Sequence, residues 1–113
     1  MNLRHLFHQS SAAEVTPEEA RAKQQTGAVI VDVREPSEWS EGTIPGAILL
    51  SLGALSGRLR ELDPSREIIT VCRSGHRSQS AAQILQRAGF ARVESLSGGM
   101  IGWKQKHFPV TKK

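Results

Sequence analysis

The chain has 113 residues, 38% hydrophobic and 23% charged, which suits one soluble domain with a real core and leaves no room for a second. Fifteen Lys and Arg against eleven Asp and Glu give a net charge of +4, which favours small anionic ligands; the basic residues form no tract and only two Trp and three Phe offer stacking surface, so nucleic acid is not an expected partner. A single cysteine excludes an intrachain disulfide and a multi-cysteine metal site and suits a reducing compartment, and no stretch approaches the ~20 apolar residues of a membrane span, so a cytoplasmic, membrane-free protein is expected.

Leu3, Leu6 and Phe7 are spaced for one helical face, in a segment that docks on the body or stays mobile, and Met1–His8 has no signal-like apolar core. Residues 1–14 are read as an N-terminal arm, 15–110 as the domain and 111–113 as a tail. His5 and His8 lie three apart but lack a Cys partner, so no metal site is expected. Thr16-Pro17-Glu18-Glu19 is a helix start, with Thr16 as N-cap, Pro17 at the first position and Glu19 closing a capping box; that helix should stop at Gly27.

Ala28–Val33 is a β-branched run of the kind that forms a strand covered on both faces. Glu35–Trp39 predicts a brief helical turn, in which Glu35 and Glu38 are first-turn charges rather than paired acid and base. Gly42–Ala47 bends into a second strand around Ile48–Leu50, and Leu55, Leu59 and Leu62 carry a helical stripe ending before Pro64. A strand over Glu67–Val71 precedes a helix from about Ser78 to Ala88, closed by Gly89; Arg92–Leu96 is a further strand. Gly98-Gly99 releases the chain into a last helix or turn with Met100, Ile101 and Trp103, and both Trp39 and Trp103 are read as packing residues. Strands alternating with helices predict an α/β fold, a mostly parallel central sheet with helices on both faces.

Cys72 falls directly after the strand Glu67–Val71, where ligands of such sheets bind, and opens Cys72-Arg73-Ser74-Gly75-His76-Arg77-Ser78. A short loop closing onto a helix start aims backbone N–H groups at one point, which favours a thiolate and an anion there. Arg73 and Arg77 add two cations, and Gly75 lets the backbone turn.

Four segments in order then resemble a single-domain rhodanese, a thiosulfate sulfurtransferase-like family: Asp32-Val33-Arg34-Glu35 with Glu38-Trp39; Gly42-Thr43-Ile44-Pro45-Gly46-Ala47; the Cys72–Ser78 loop; and Leu96-Ser97-Gly98-Gly99-Met100-Ile101-Gly102-Trp103. Thr43 stands where members often carry His and is read as a surface change. The resemblance implies a rhodanese-like fold and a ping-pong sulfurtransferase without a cofactor. Cys72 would take a sulfane sulfur from thiosulfate or a related donor as a persulfide and give it to cyanide, an acceptor thiol or a sulfur-relay protein.

The loop residues Arg73, Ser74, Gly75, His76, Arg77 and Ser78 would bind substrate, with Arg73 on the donor's sulfonate or sulfite group. Arg77 either touches substrate or braces the loop on Asp32, and His76 lends its amide or acts as acid and base. Asp32 and Arg34 are supporting residues, read as a structural pair. Two other functions compete: a regulatory or persulfide-carrying module serving a partner protein, and a cysteine phosphatase or arsenate reductase. The latter families space Cys and Arg by five residues; here four separate Cys72 from Arg77, and the smaller loop favours a single sulfur atom.

Overall fold

The structure, a computed structural model, describes residues 12–112. Five short strands form one parallel sheet in the order β1-β5-β4-β2-β3: β1 (Ala13–Val15), β2 (Val29–Asp32), β3 (Ile48–Leu49), β4 (Ile68–Val71) and β5 (Val93–Leu96). Five α-helices connect or follow them: α1 (Pro17–Gln25), α2 (Pro36–Trp39), α3 (Leu52–Leu55), α4 (His76–Arg87) and α5 (Gly99–Gln105). Side chains alternate across the strands and build two cores. On one face Val31, Ile68, Cys72 and Val93 pack with Leu55 of α3 and Ala81, Ala82 and Leu85 of α4. On the other, Ile30, Ile69, Val71 and Leu96 pack with Ala20 of α1 and Met100 and Trp103 of α5.

The α1 start is as the sequence predicts. The Glu19 amide donates to Thr16 Oγ1 at 3.1 Å, and the Thr16 amide donates to Glu19 Oε1 at 2.8 Å. The helix ends at Gln25, two residues ahead of Gly27. Trp103 is buried, meets Phe108 edge-on at 5.1 Å, and donates its indole N–H to the Pro109 carbonyl at 2.8 Å.

Three expectations need correction. The Leu55, Leu59, Leu62 stripe is not one helix: α3 stops at Leu55 and a separate 3-10 turn covers Leu59–Glu61, with Ser56-Gly57 between them, where glycine weakens helix continuation. Thr43 is not at the surface. It is buried, and its backbone forms both hydrogen bonds of an antiparallel bridge with Thr111, each 2.8 Å. The sheet also takes in Ala13–Val15 beside β5, and Thr111 pairs with Thr43. Last, α4 begins at His76, two residues before the expected start. The proposed helical face at Leu3, Leu6 and Phe7, and the pair His5 and His8, lie outside the described residues.

Candidate active site

β4 is the central strand, and its carboxyl end delivers Cys72 to the face covered by α4. The period of two along β4 and β5 puts Thr70 and Ser95 on that same face, and Thr70 Oγ1 donates to the Ser78 carbonyl at 2.8 Å. That bond ties the first turn of α4 to the strand that carries the cysteine. The four residues Cys72–Gly75 make the whole connection, and Gly75, at φ +123°, supplies the reversal that starts the helix.

Cys72 is 1% exposed. The Gly75 amide donates to its Sγ at 3.0 Å, and Ser78 Oγ lies 3.5 Å from the sulfur. Burial, the largest single influence, pushes the thiol pKa up; hydrogen bonds from the Ser78 hydroxyl and the amides of Ser78, Gly75 and Ser74 together outweigh it, so the thiol sits below its ordinary value. Behind Ser78, the hydroxyl of Ser95 approaches Ser78 Oγ to 2.7 Å, and Ser78 Oγ also reaches the Gly75 carbonyl at 3.0 Å. A hydroxyl shared in this way can turn its proton onto a thiolate while Ser95 donates into its oxygen.

The carbonyls of the loop are engaged elsewhere. The Met100 amide donates to the Cys72 carbonyl at 2.8 Å and the Ile101 amide to the Arg73 carbonyl at 3.1 Å, so the first turn of α5 draws both carbonyls towards itself. This docking needs glycine. A Cβ on Gly99, which has φ +56°, would stand 2.4 Å from the Cys72 carbonyl oxygen and 2.5 Å from that of Arg73.

The two loop arginines differ. Arg77 is gripped by Glu38 of α2 through two parallel hydrogen bonds, 2.6 and 2.9 Å. This corrects the expected partner: Asp32 does not meet Arg77. The Asp32 carboxylate instead holds Arg34, with Nη2 to Oδ2 at 2.8 Å and Nε to Oδ1 at 3.1 Å, and both residues are almost wholly buried. Arg34 in turn donates to the carbonyls of Gly42 (2.7 Å) and Glu38 (3.2 Å), which fixes the segment that carries Glu38. The Arg77 hydrogen bonds hold the Glu38 carboxyl down; burial opposes them, and the Glu35 amide and the charges of Arg77 and Arg34 add to them, for a pKa of about 2. Arg73 is exposed, and among the described residues its guanidinium meets no carboxylate. Ser74 and His76 are exposed at the rim, and Ser78 is buried.

The structure therefore brings Cys72, Ser74, Gly75, His76, Arg77 and Ser78 into one cradle, with Arg73 on its outer side and Asp32 and Arg34 a layer behind. Three contributors escaped the sequence reading. In the sequence Glu38 reads as a helix charge, Ser95 carries no signal, and Gly99 is marked only by the Gly-Gly pair as a point of release.

A parallel α/β sheet whose central strand ends in a thiol ringed by amide donors defines a cysteine-based group-transfer scaffold. The rhodanese-like domain family matches residues 16–106. Over 90 residues the chain is 38% identical to a thiosulfate sulfurtransferase GlpE of Pseudomonas syringae pv. syringae, covering 80% of this chain and 85% of that one. It is 39% identical over 77 residues to a putative sulfur carrier protein YrkF of Bacillus subtilis, 68% of this chain and 42% of that one. The crystal structure of a rhodanese-related protein from Thermoplasma volcanium shares the fold with a TM-score of 0.83 at 23% identity, covering 89% of this chain and 99% of that one. The chain belongs to the rhodanese sulfurtransferase family.

Proposed function

We propose that the protein moves a sulfane sulfur from thiosulfate, or a related anionic donor, through a persulfide on Cys72 to cyanide or an acceptor thiol. The observation that carries this reading is the cradle: Ser74, Gly75 and Ser78 aim amide or hydroxyl donors at one buried sulfur, while Arg73 meets no carboxylate among the described residues. The Cys72 thiolate attacks the outer sulfur of thiosulfate, the S–S bond of the donor breaks, and sulfite leaves with the electron pair, its charge met by Arg73. The bound sulfur carries negative charge, which the loop amides stabilise without rearranging. Cyanide or a thiolate then attacks that outer sulfur and returns Cys72 as a thiolate. Arg77, already engaged by Glu38, braces the loop and adds a positive field.

A second reading, a persulfide carrier acting on a partner protein, is favoured by the similarity to the putative sulfur carrier and by the single cysteine, which leaves no resolving thiol in the chain. The cytoplasm is the proposed setting, since one unpaired thiol suits a reducing compartment, and no helix among the described residues is long and apolar enough to cross a membrane. The test is mass spectrometry of the protein after thiosulfate treatment, together with thiocyanate formation from cyanide. One added sulfur on Cys72, removed by cyanide, is expected; Cys72→Ser should abolish both, and Arg73→Ala should chiefly raise the KM for thiosulfate. Absence of an adduct with any sulfur donor, or turnover of phosphate esters or arsenate instead, would overturn the reading.

A further inference from the structure

Behind the cysteine, Thr70, Ser78 and Ser95 lay three hydroxyls between β4, β5 and α4, each residue 0% exposed. Thr70 is engaged with main chain, donating to the Ser78 carbonyl at 2.8 Å. Ser78 Oγ has three neighbours and one proton: the Cys72 sulfur lies at 3.5 Å, the Gly75 carbonyl at 3.0 Å and Ser95 Oγ at 2.7 Å. A thiolate and a carbonyl both only accept, so the proton serves one of them at a time. Ser95 donates into Ser78 Oγ. With that bond reversed, Ser78 would have no proton for either acceptor, and the buried Ser95 proton would lack an acceptor among the described residues.

The charge on the sulfur decides which acceptor the Ser78 proton meets. In the resting thiolate the negative charge sits on Sγ, a strong acceptor in a buried place, and the hydroxyl turns onto it. In a persulfide the charge moves to the outer sulfur and Sγ becomes a neutral, weak acceptor. The Gly75 carbonyl, whose other bond is a 3.3 Å contact from the Gln79 amide, then takes the proton back. The Gly75 amide, 3.0 Å from Sγ, is fixed in the backbone and cannot follow the charge in this way. Burial pushes the Cys72 thiol up, and the Ser78 hydroxyl is the largest influence that pulls it down.

We propose, resting on the sulfur-transfer reading above, that Ser78 is a catalytic donor to the departing Cys72 sulfur, held to that task by Ser95 as a positioning residue. On loading, Sγ attacks the outer sulfur of thiosulfate, the donor's S–S bond breaks, and sulfite leaves with the electron pair; the Ser78 bond to Sγ is given up. On discharge, the acceptor attacks the outer sulfur, the bond from that sulfur to Sγ breaks, and the pair returns to Sγ; the Ser78 bond forms again. A sulfur stabilised as its thiolate leaves faster and attacks more slowly. The two serines therefore bias the protein towards giving sulfur away rather than keeping it.

The test is an equilibrium, because sulfite can take the sulfur back. Wild type, Ser78→Ala and Ser95→Ala are each incubated with thiosulfate and sulfite in varied ratio, at a pH where alkylation shows Cys72 fully ionised in all three. The fraction carrying one added sulfur on Cys72 is read by mass. Alanine suits the helix, and the Thr70 bond to the main chain of residue 78 survives the change. Ser78→Ala should be half loaded at a thiosulfate-to-sulfite ratio about tenfold lower than wild type, the lower end of what a hydrogen bond to a charged group contributes. Ser95→Ala should shift the ratio the same way by less. In single turnover, discharge of Ser78→Ala to cyanide should slow about threefold while its loading does not slow. A residue that merely supports the loop would slow both steps alike and leave the ratio unmoved. An unmoved or raised ratio in Ser78→Ala overturns this inference alone, as does an unmoved ratio in Ser95→Ala should Ser78→Ala fail to fold. Failure of the wild type to load at any ratio overturns the sulfur-transfer reading and this inference with it.

Discussion

Ser78→Ala should raise the pKa of Cys72 while leaving the sulfur in place. Ser78 Oγ stands 3.5 Å from the sulfur and is backed by Ser95 at 2.7 Å. A hydrogen bond to a charged group contributes about 1.5–3 kcal/mol, and the length of this one argues for the lower end. At roughly 1.4 kcal/mol per unit, losing it moves the thiol upward by about one pKa unit. The Gly75, Ser74 and Ser78 amides remain in the variant, so the rise should stop well short of what burial alone would impose. The assay is the pH dependence of Cys72 alkylation by iodoacetamide under native conditions, where the midpoint reports the thiolate. Below both midpoints the variant should react about tenfold more slowly, and above both the rates should converge. Ser95→Ala, acting only through Ser78, should shift the midpoint less. An unchanged midpoint in a folded Ser78→Ala protein would refute the hydroxyl's part in activating the thiol.

Glu38→Gln should cost about 1 kcal/mol at neutral pH, because the partly exposed pair with Arg77 loses its charge. The Glu38 pKa is depressed in the folded state, so its stabilisation is full above the ordinary carboxylate range and fades as pH falls towards about 2. Urea unfolding of both proteins as a function of pH should therefore show a gap that closes on acidification; a constant gap would contradict the ion pair. Gly99→Ala should destabilise by about 3 kcal/mol, about 1 for each of the two amide-to-carbonyl bonds to Cys72 and Arg73 and about 1 for the positive φ. The same variant should raise the alkylation midpoint of Cys72, since the loop must retreat from α5; a loss of stability without that rise would mean α5 supports the fold but not the cradle.

Much of the frame is legible in the sequence because local rules dominate there. The capping box at Thr16 and Glu19, the β-branched runs at β2 and β4, and the step from Val71 to Cys72 and into α4 each follow from a few neighbouring residues. The misses are tertiary. Ala13–Val15 is too short to carry a period and becomes a strand only because β5 offers its edge. Glu38 and Arg77 lie 39 residues apart, so no spacing rule links them, and Asp32, the partner the sequence suggests for Arg77, is consumed by Arg34. Ser95 looks like any polar residue in a short strand until α4 is laid over it and Ser78 arrives. Gly99 shows the same limit: a glycine pair announces a turn, but not which carbonyls it must clear.

The Glu38 side chain serves two masters with a single oxygen. Oε1 accepts from the Glu35 amide at 3.0 Å, completing the cap of the short helix α2, and from Arg77 at 2.6 Å, anchoring the cysteine loop. A carboxylate one methylene shorter could not span both, and would have to choose between finishing its own helix and holding a neighbour's arginine. Glutamine keeps the reach but surrenders the charge. Neither of the two substitutions usually counted as mild keeps both bonds together with the charge, although the side chain makes no contact with the sulfur.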